Sequence, residues 1–419
     1  MRLLGRRKAL GIIIIMSMLL AVACGKHEPA VKKTSEEVYF SPFFFAGNGA
    51  MAENYLLYYS DRMYRIFDVK TQTDIPYCFE PNCTHKAPIW DFTGKLLQDG
   101  CPAYKFEQTP ILHGENTIWF TGTELIRGDR EGKNRKTIAT LEIPQGLPWG
   151  MIYTDKDFFF VYTQADEYTK EKDKNGNEYW LPGERLEKPE VGIYRISLET
   201  GEQQYVCRFW EYDANIRGGF YYNNHLYFGL TYSTKPYIAP GLSASDEDTD
   251  WNAITEENRK YRVQKWYSYD LTSGETVCLV EKEASFKEGF FGNGFLCVYD
   301  SEEKSSEWFD LTGGKLRDRE IRISSGTVLA IDNVSIYRLR DEKKHYQVFE
   351  MYDVVNDKVL RHVERGGSAL GINSIQAVIG NSYYVLVNYP DGESHEAFIS
   401  EENFWNGAWD KAEIIGGEE

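Results

Sequence analysis

From about residue 38 onward the chain is a series of short apolar runs, each opened by Asn or Asp and rich in aromatic and β-branched residues. The runs Asn54–Tyr59, Asn116–Phe120, Asp157–Tyr162, Asn223–Phe228 and Asn381–Val387 share this form. Bulky, stiff side chains between turn-forming residues predict β-strands. After residue 23 no window of useful length carries apolar residues at the helical period of about 3.6. The pattern therefore predicts an all-β fold.

A second pattern is superimposed on the first. Arg65–Thr71, Tyr194–Glu202, Tyr267–Glu275, Glu307–Lys315 and Glu350–Lys358 each run from an aromatic-rich half strand into Asp or Ser, then an aliphatic residue, then a tight polar turn. Measured between the anchors, Asp270 to Asp310 is 40 residues and Asp310 to Asp353 is 43. Repeats of about 40 to 45 residues are the signature of propeller blades. The 129 residues from Asp68 to Ser197 fit two blades with an unmarked anchor near Thr140–Glu142, and Ser197 to Asp270 spans 73. The excess length falls in three stretches that break the strand pattern, at about 76–104, 164–190 and 233–262. A further unit follows near Phe398–Ser400, with a degraded turn. The expected fold is an all-β propeller of about seven four-stranded blades, with a Cys/His-containing insertion after the first. Val38–Ala46, with Pro42 suited to an edge, is the expected ring-closing strand.

The first 37 residues stand apart. Arg2, Arg6, Arg7 and Lys8 precede the apolar run Ala9–Ala23, which is short for a bilayer span and reads as an export leader. It ends in Leu20-Ala21-Val22-Ala23-Cys24-Gly25, which resembles the lipobox of bacterial lipoproteins. That resemblance implies cleavage after residue 23, lipid on Cys24, and a protein anchored to the outer side of the cytoplasmic membrane or to the envelope. Residues 24–37, polar and without apolar period, read as a tether. Residues 38–419 form the expected propeller domain.

Lys and Arg number 47 against 64 Asp and Glu, a formal charge of −17, and removal of the leader makes the balance more acidic still. Such a surface repels nucleic acid, which is excluded as a partner. The aromatic fraction of 15% is blade packing first; some Tyr and Trp are also candidates for stacking on a sugar or peptide.

The most chemical stretch is Cys78, Cys83 and His85, followed by Cys101, a C-x4-C-x-H-x15-C pattern among Pro76, Pro81 and Pro102. Three thiols and an imidazole suit a closed tetrahedral zinc site. In an exported protein the same residues are compatible with a disulfide plus a free thiol, and unpaired core cysteines are the third reading. Cys207, Cys278 and Cys297 sit at strand positions and read as small buried hydrophobes, and Cys78, ten residues after Asp68 as Cys207 is after Ser197, shares that simpler reading. The Cys, Pro-Asn, Cys, His and later Cys-x-Ala order is similar to that of lipoproteins of clostridial gut bacteria whose function is not assigned. Asp246, Asp248, Asp250 and Glu257 match a calcium loop in part, but Trp251 stands where the sharp turn needs Gly. Asn175-Gly176 reads as a hairpin turn.

No Gly-x-Ser-x-Gly elbow or phosphate-binding loop is present. The Asp-x-x-x-Gly turns lack the Trp of quinoprotein repeats, and the sialidase pattern Ser-x-Asp-x-Gly-x-x-Trp is missing. The sequence therefore points to a membrane-anchored module that binds a protein or glycan. The alternatives are a glycan- or peptide-hydrolysing propeller, and an envelope-assembly factor similar to the propeller lipoprotein that serves outer-membrane barrel insertion.

Overall fold

The computed structural model describes most of residues 49–415. Residues 1–48, 416–419 and short internal stretches, the longest being 104–110 and 237–250, lie outside the description. The leader, Cys24, the tether, the expected closing strand Val38–Ala46 and the Asn175-Gly176 turn all fall there. No described helix is long and apolar enough to cross a membrane.

Among the described residues the chain forms seven four-stranded sheets, taken in chain order within Gly49–Pro76, Ile111–Thr140, Gly146–Phe209, Tyr212–Glu283, Glu288–Arg319, Ile323–Gly366 and Gly371–Ile414. Every sheet is antiparallel, with its strands in sequence order. In every successive pair of sheets except two and three the first strands lie against one another, so the first strands are the inner strands around a common axis. This is a β-propeller.

The repeated turn explains the repeated sequence. Asp68, Ser197, Asp270, Asp310 and Asp353 each end the third strand of a sheet. Their side chains accept from the backbone two to four residues on, as in Thr272 N–H to Asp270 Oδ1 at 2.7 Å and Asn356 N–H to Asp353 Oδ1 at 3.0 Å. Short acceptor side chains that fold back on the chain favour such turns. The aliphatic residue that follows docks its backbone on the hairpin between the first and second strands: Leu198 N–H reaches Lys156 O and Val354 N–H reaches Asn333 O. Both side chains are buried.

Packing between sheets is apolar and largely aromatic. Phe120 lies on Phe158 and Phe160 between sheets two and three, and Trp308 on Tyr352 between five and six. Phe67 of sheet one stacks on Phe398 of sheet seven, ring centroids 4.6 Å apart. First and last sheets therefore touch.

Antiparallel order also sets where the loops go. In each sheet the first-to-second and third-to-fourth connections emerge at one end of the strands, whereas second-to-third and sheet-to-sheet connections emerge at the other. The Asp/Ser turns occupy the first end, the turn face. Residues 77–110 link sheets one and two, residues 165–190 join the second and third strands of sheet three, and residues 234–261 do the same in sheet four. All three long segments therefore leave from the opposite end, the loop face.

Three expectations are corrected. The third-strand anchor of sheet two is Asp129, not a residue near Thr140–Glu142; Lys136–Thr140 is the outer strand. Asp129 accepts from Lys133 N–H and Asn134 Nδ2, and Asn134 takes a positive φ of 51°; Arg130 follows the anchor where the other turns have an aliphatic residue, so the repeated pattern does not reveal it. The fold is not free of helix: Trp251–Arg259 is helical within the third insertion. The degraded turn expected after Ser400 is a short helix, Glu401–Trp405, that precedes the outer strand Glu413–Ile414 of sheet seven. Finally, Cys278 is exposed, because it lies on the solvent-side outer strand of sheet four; Cys297 is fully buried, as expected.

Candidate metal centre

Pro76 ends the outer strand of sheet one, and the chain then turns sharply, Cys78 N–H reaching Pro76 O at 2.6 Å. A second turn, Cys83 N–H to Glu80 O at 3.2 Å, returns Cys83 toward Cys78. Asn82 carries this turn at φ 62°, in the left-handed region that Asn tolerates better than most residues. His85 follows, also left-handed at φ 51°.

Cys101 arrives from a second segment, stapled to the first by its N–H on Lys86 O at 2.9 Å. The approach requires Gly100. A Cβ there would stand 2.3 Å from Pro88 N and 2.8 Å from Ala87 C, backbone atoms that cannot move aside. Between the two segments a small two-stranded ladder pairs Ile89–Trp90 with Leu96–Gln98.

These constraints bring one ligand atom each of Cys78, Cys83, His85 and Cys101 within 4.8 Å of one another. His85 Nδ1 lies 3.5 Å from Cys101 Sγ. Zinc–sulfur bonds of about 2.3 Å in a tetrahedron set neighbouring ligands about 3.5 to 3.8 Å apart, so that spacing is a tetrahedral edge. A disulfide needs sulfurs about 2.05 Å apart, and the six described cysteines are free.

Charge is arranged to match. The backbone N–H of His85 donates to Cys83 and pulls its pKa down. Burial pushes Cys101 up to about 12, against the opposing N–H of Ala103, 3.4 Å from its sulfur. Without a cation the cluster thus holds protonated sulfur that a divalent ion would deprotonate on binding. Met63, Cys101 and Ala103 form a small buried cluster with Cys78 and Cys83 packed on it. All four residues singled out by spacing meet in one site. Gly100 and Ala103 position Cys101; Ala103 belongs to the Cys-x-Ala order noted in the sequence, whereas the need for Gly100 shows only in the structure.

The acidic loop behaves otherwise. Asp246, Asp248 and Asp250 lie outside the described residues, and Glu257 is on the helix, paired with Lys260.

No family model matches the chain, and no curated protein matches it. Among solved structures it is similar to dipeptidyl peptidase 4 of Porphyromonas gingivalis, with 9% identity and TM-score 0.42, covering 84% of this chain and 48% of that one. It is also similar to a puromycin hydrolase, with 9% identity and TM-score 0.49, covering 93% and 57%. The chain spans about half the length of each of these proteins.

Proposed function

We propose that this chain is a lipid-anchored, extracytoplasmic β-propeller whose loop face binds a protein or glycan at the cell envelope, with the segment between sheets one and two folded around a structural zinc ion. The seven sheets are the seven blades of the ring. One observation carries the reading: all three long insertions leave the same face, while the other face carries the tight Asp and Ser turns. Binding surfaces ride on loops that a rigid scaffold positions. The zinc assignment follows from the donor set. Three sulfurs and an imidazole fill a tetrahedron and leave no open position for a substrate, which is the form of a structural site.

Two measurements test this on the mature chain purified without chelator. Metal analysis should find about one zinc per chain, as a single four-ligand site requires, and both Cys83→Ser and His85→Ala should lose it. Zinc-free protein with every thiol titrating at once sinks the metal assignment. Envelope glycans and peptides should then be bound saturably and recovered intact, and replacing the hairpin Tyr168–Pro182 with a short turn should weaken capture. Ligand turnover would overturn the binding-module reading.

A further inference from the structure

A second polar cluster lies at the loop-face end of the junction between sheets six and seven. Arg338 is the next-to-last residue of the strand Val334–Leu339. Its Nη1 donates to Asn373 O at 2.8 Å and Asn373 Oδ1 at 2.9 Å, and its Nη2 donates to Ser324 Oγ at 3.1 Å. Both partners belong to inner strands, and both stand where pairing leaves register: between Ile323 and Val328 in sheet six, and between Ile372 and Ser374 in sheet seven. Such bulges re-aim groups out of the ladder. Here they aim neutral oxygens at a guanidinium.

Among the described residues the guanidinium meets no anion. Arg65, Arg195, Arg262, Arg317 and Arg319 each pair with an Asp or Glu. Arg338 meets no carboxylate among the described residues, in a chain where 64 acidic residues outnumber 47 basic ones. Burial pulls its pKa down, and no opposite charge offsets that effect.

Two neighbours are also unsatisfied. Arg322 Nε and Gln347 Oε1 are buried without a hydrogen-bond partner. Ile323 pairs with Leu339, so Arg322 and Ser324, its chain neighbours, lie at the same end of the sheet as Arg338, which reaches Ser324 directly. Gln347 lies against Gly371, the first residue of sheet seven's inner strand; a Cβ there would come 2.8 Å from Gln347 Nε2. A half-buried, uncompensated cation beside an unused N–H and an unused amide oxygen is an incomplete polar site.

We propose that this junction binds an oxyanion, the carboxylate of a sugar acid or a phosphate group, with Arg338 as the principal donor, Arg322 as the second and Gln347 as an acceptor for a ligand hydroxyl. Planar guanidinium groups present the paired donors that such oxyanions take. The inference rests on the ligand-binding reading above and adds the ligand's charge and the place where that charge sits.

Calorimetry of the mature chain at low ionic strength tests it, with sodium D-glucuronate and sodium phosphate as probes and sodium chloride as control. One probe should bind saturably at one site, and which one binds separates a sugar acid from a phosphate. Arg338→Gln should weaken that binding at least tenfold, Arg338→Lys less, and Arg322→Gln should weaken it with melting unchanged. If neither anion binds, the inference falls; capture of a neutral glycan or peptide would still leave the loop-face reading standing. If Arg338→Gln and Arg322→Gln lower the melting temperature but leave anion affinity intact, the guanidiniums are braces and the inference is again overturned. Arg338-dependent anion binding together with ligand turnover would reverse that outcome, keeping this site and discarding the binding-module reading.

Discussion

Glu307 shows how a single acidic residue can tie two sheets together. It lies on the third strand of sheet five with its side chain only 13% exposed, and takes Lys282 of sheet four at 2.8 Å, Lys287 of the linker at 3.0 Å and Lys315 of its own sheet at 3.2 Å. Burial opposes its ionisation, yet the hydrogen bonds and charges of Lys282 and Lys287 prevail and hold its pKa at about 2. The folded value lies below the ordinary value of 4.5, so the folded state holds this proton less tightly than the unfolded chain. The stabilisation is therefore complete above about pH 4.5 and is lost as pH falls toward 2. Glu307→Gln should cost about 1 to 3 kcal/mol at pH 7 by urea unfolding, because it leaves a half-buried cluster of ammonium groups without a carboxylate. The gap between variant and wild type should close between pH 4.5 and 2. A gap that persists at pH 2 would mean that packing, not charge, is what the substitution removed.

At the scale of the element, what was legible in the sequence is what has a local physical cause. The Asp or Ser anchor and the aliphatic residue after it each do a separate job within a few residues, helped in three turns by Gly201, Gly274 or Gly313 at positive φ, so five turns could be read directly. Sheet two hid its turn because Arg130, not an aliphatic residue, follows Asp129, and sheet seven replaced the turn with a helix. The four candidate ligands were legible by spacing, and Cys83, His85 and Cys101 also by lacking a strand role, but their convergence depends on Gly100 passing Pro88, a contact with no periodic trace. The Arg338 cluster was not legible at all. Its meaning lies in a guanidinium that meets no carboxylate among the described residues of two sheets, and one-dimensional charge counts cannot show that. The helix of sheet seven gives an element-scale test. Ser400 caps it by accepting from Asn403 N–H at 3.2 Å, with Glu401 and Glu402 in the first turn. The helix buries Phe404 and Trp405, and Trp405 Nε1 donates to Tyr383 OH at 2.8 Å. Ser400→Ala should cost about 1 kcal/mol in urea unfolding, and Ser400→Asp should be near neutral. An alanine variant as stable as wild type would show that the buried aromatics alone hold the helix.

The whole molecule differs from a linear stack of repeats in having contact between its ends. In an open array each repeat touches only its neighbours and terminal units fray first. Here the Phe67 and Phe398 rings lie 17° from parallel, both buried, and Tyr384 packs on Phe398 at 5.5 Å. That makes sheet seven as well supported as a central one, and it predicts how the substitutions combine. Phe398→Ala should cost about 3 to 5 kcal/mol, the usual loss for deleting a buried aromatic ring. It should also split or broaden a single unfolding transition, since the opened ring has two free ends. Phe67→Ala should do nearly the same. The double variant should cost clearly less than the sum of the two, because both substitutions remove one shared contact and closure can be lost only once. Strictly additive losses, with a single sharp transition in all three variants, would place the closing contact elsewhere along the two sheets.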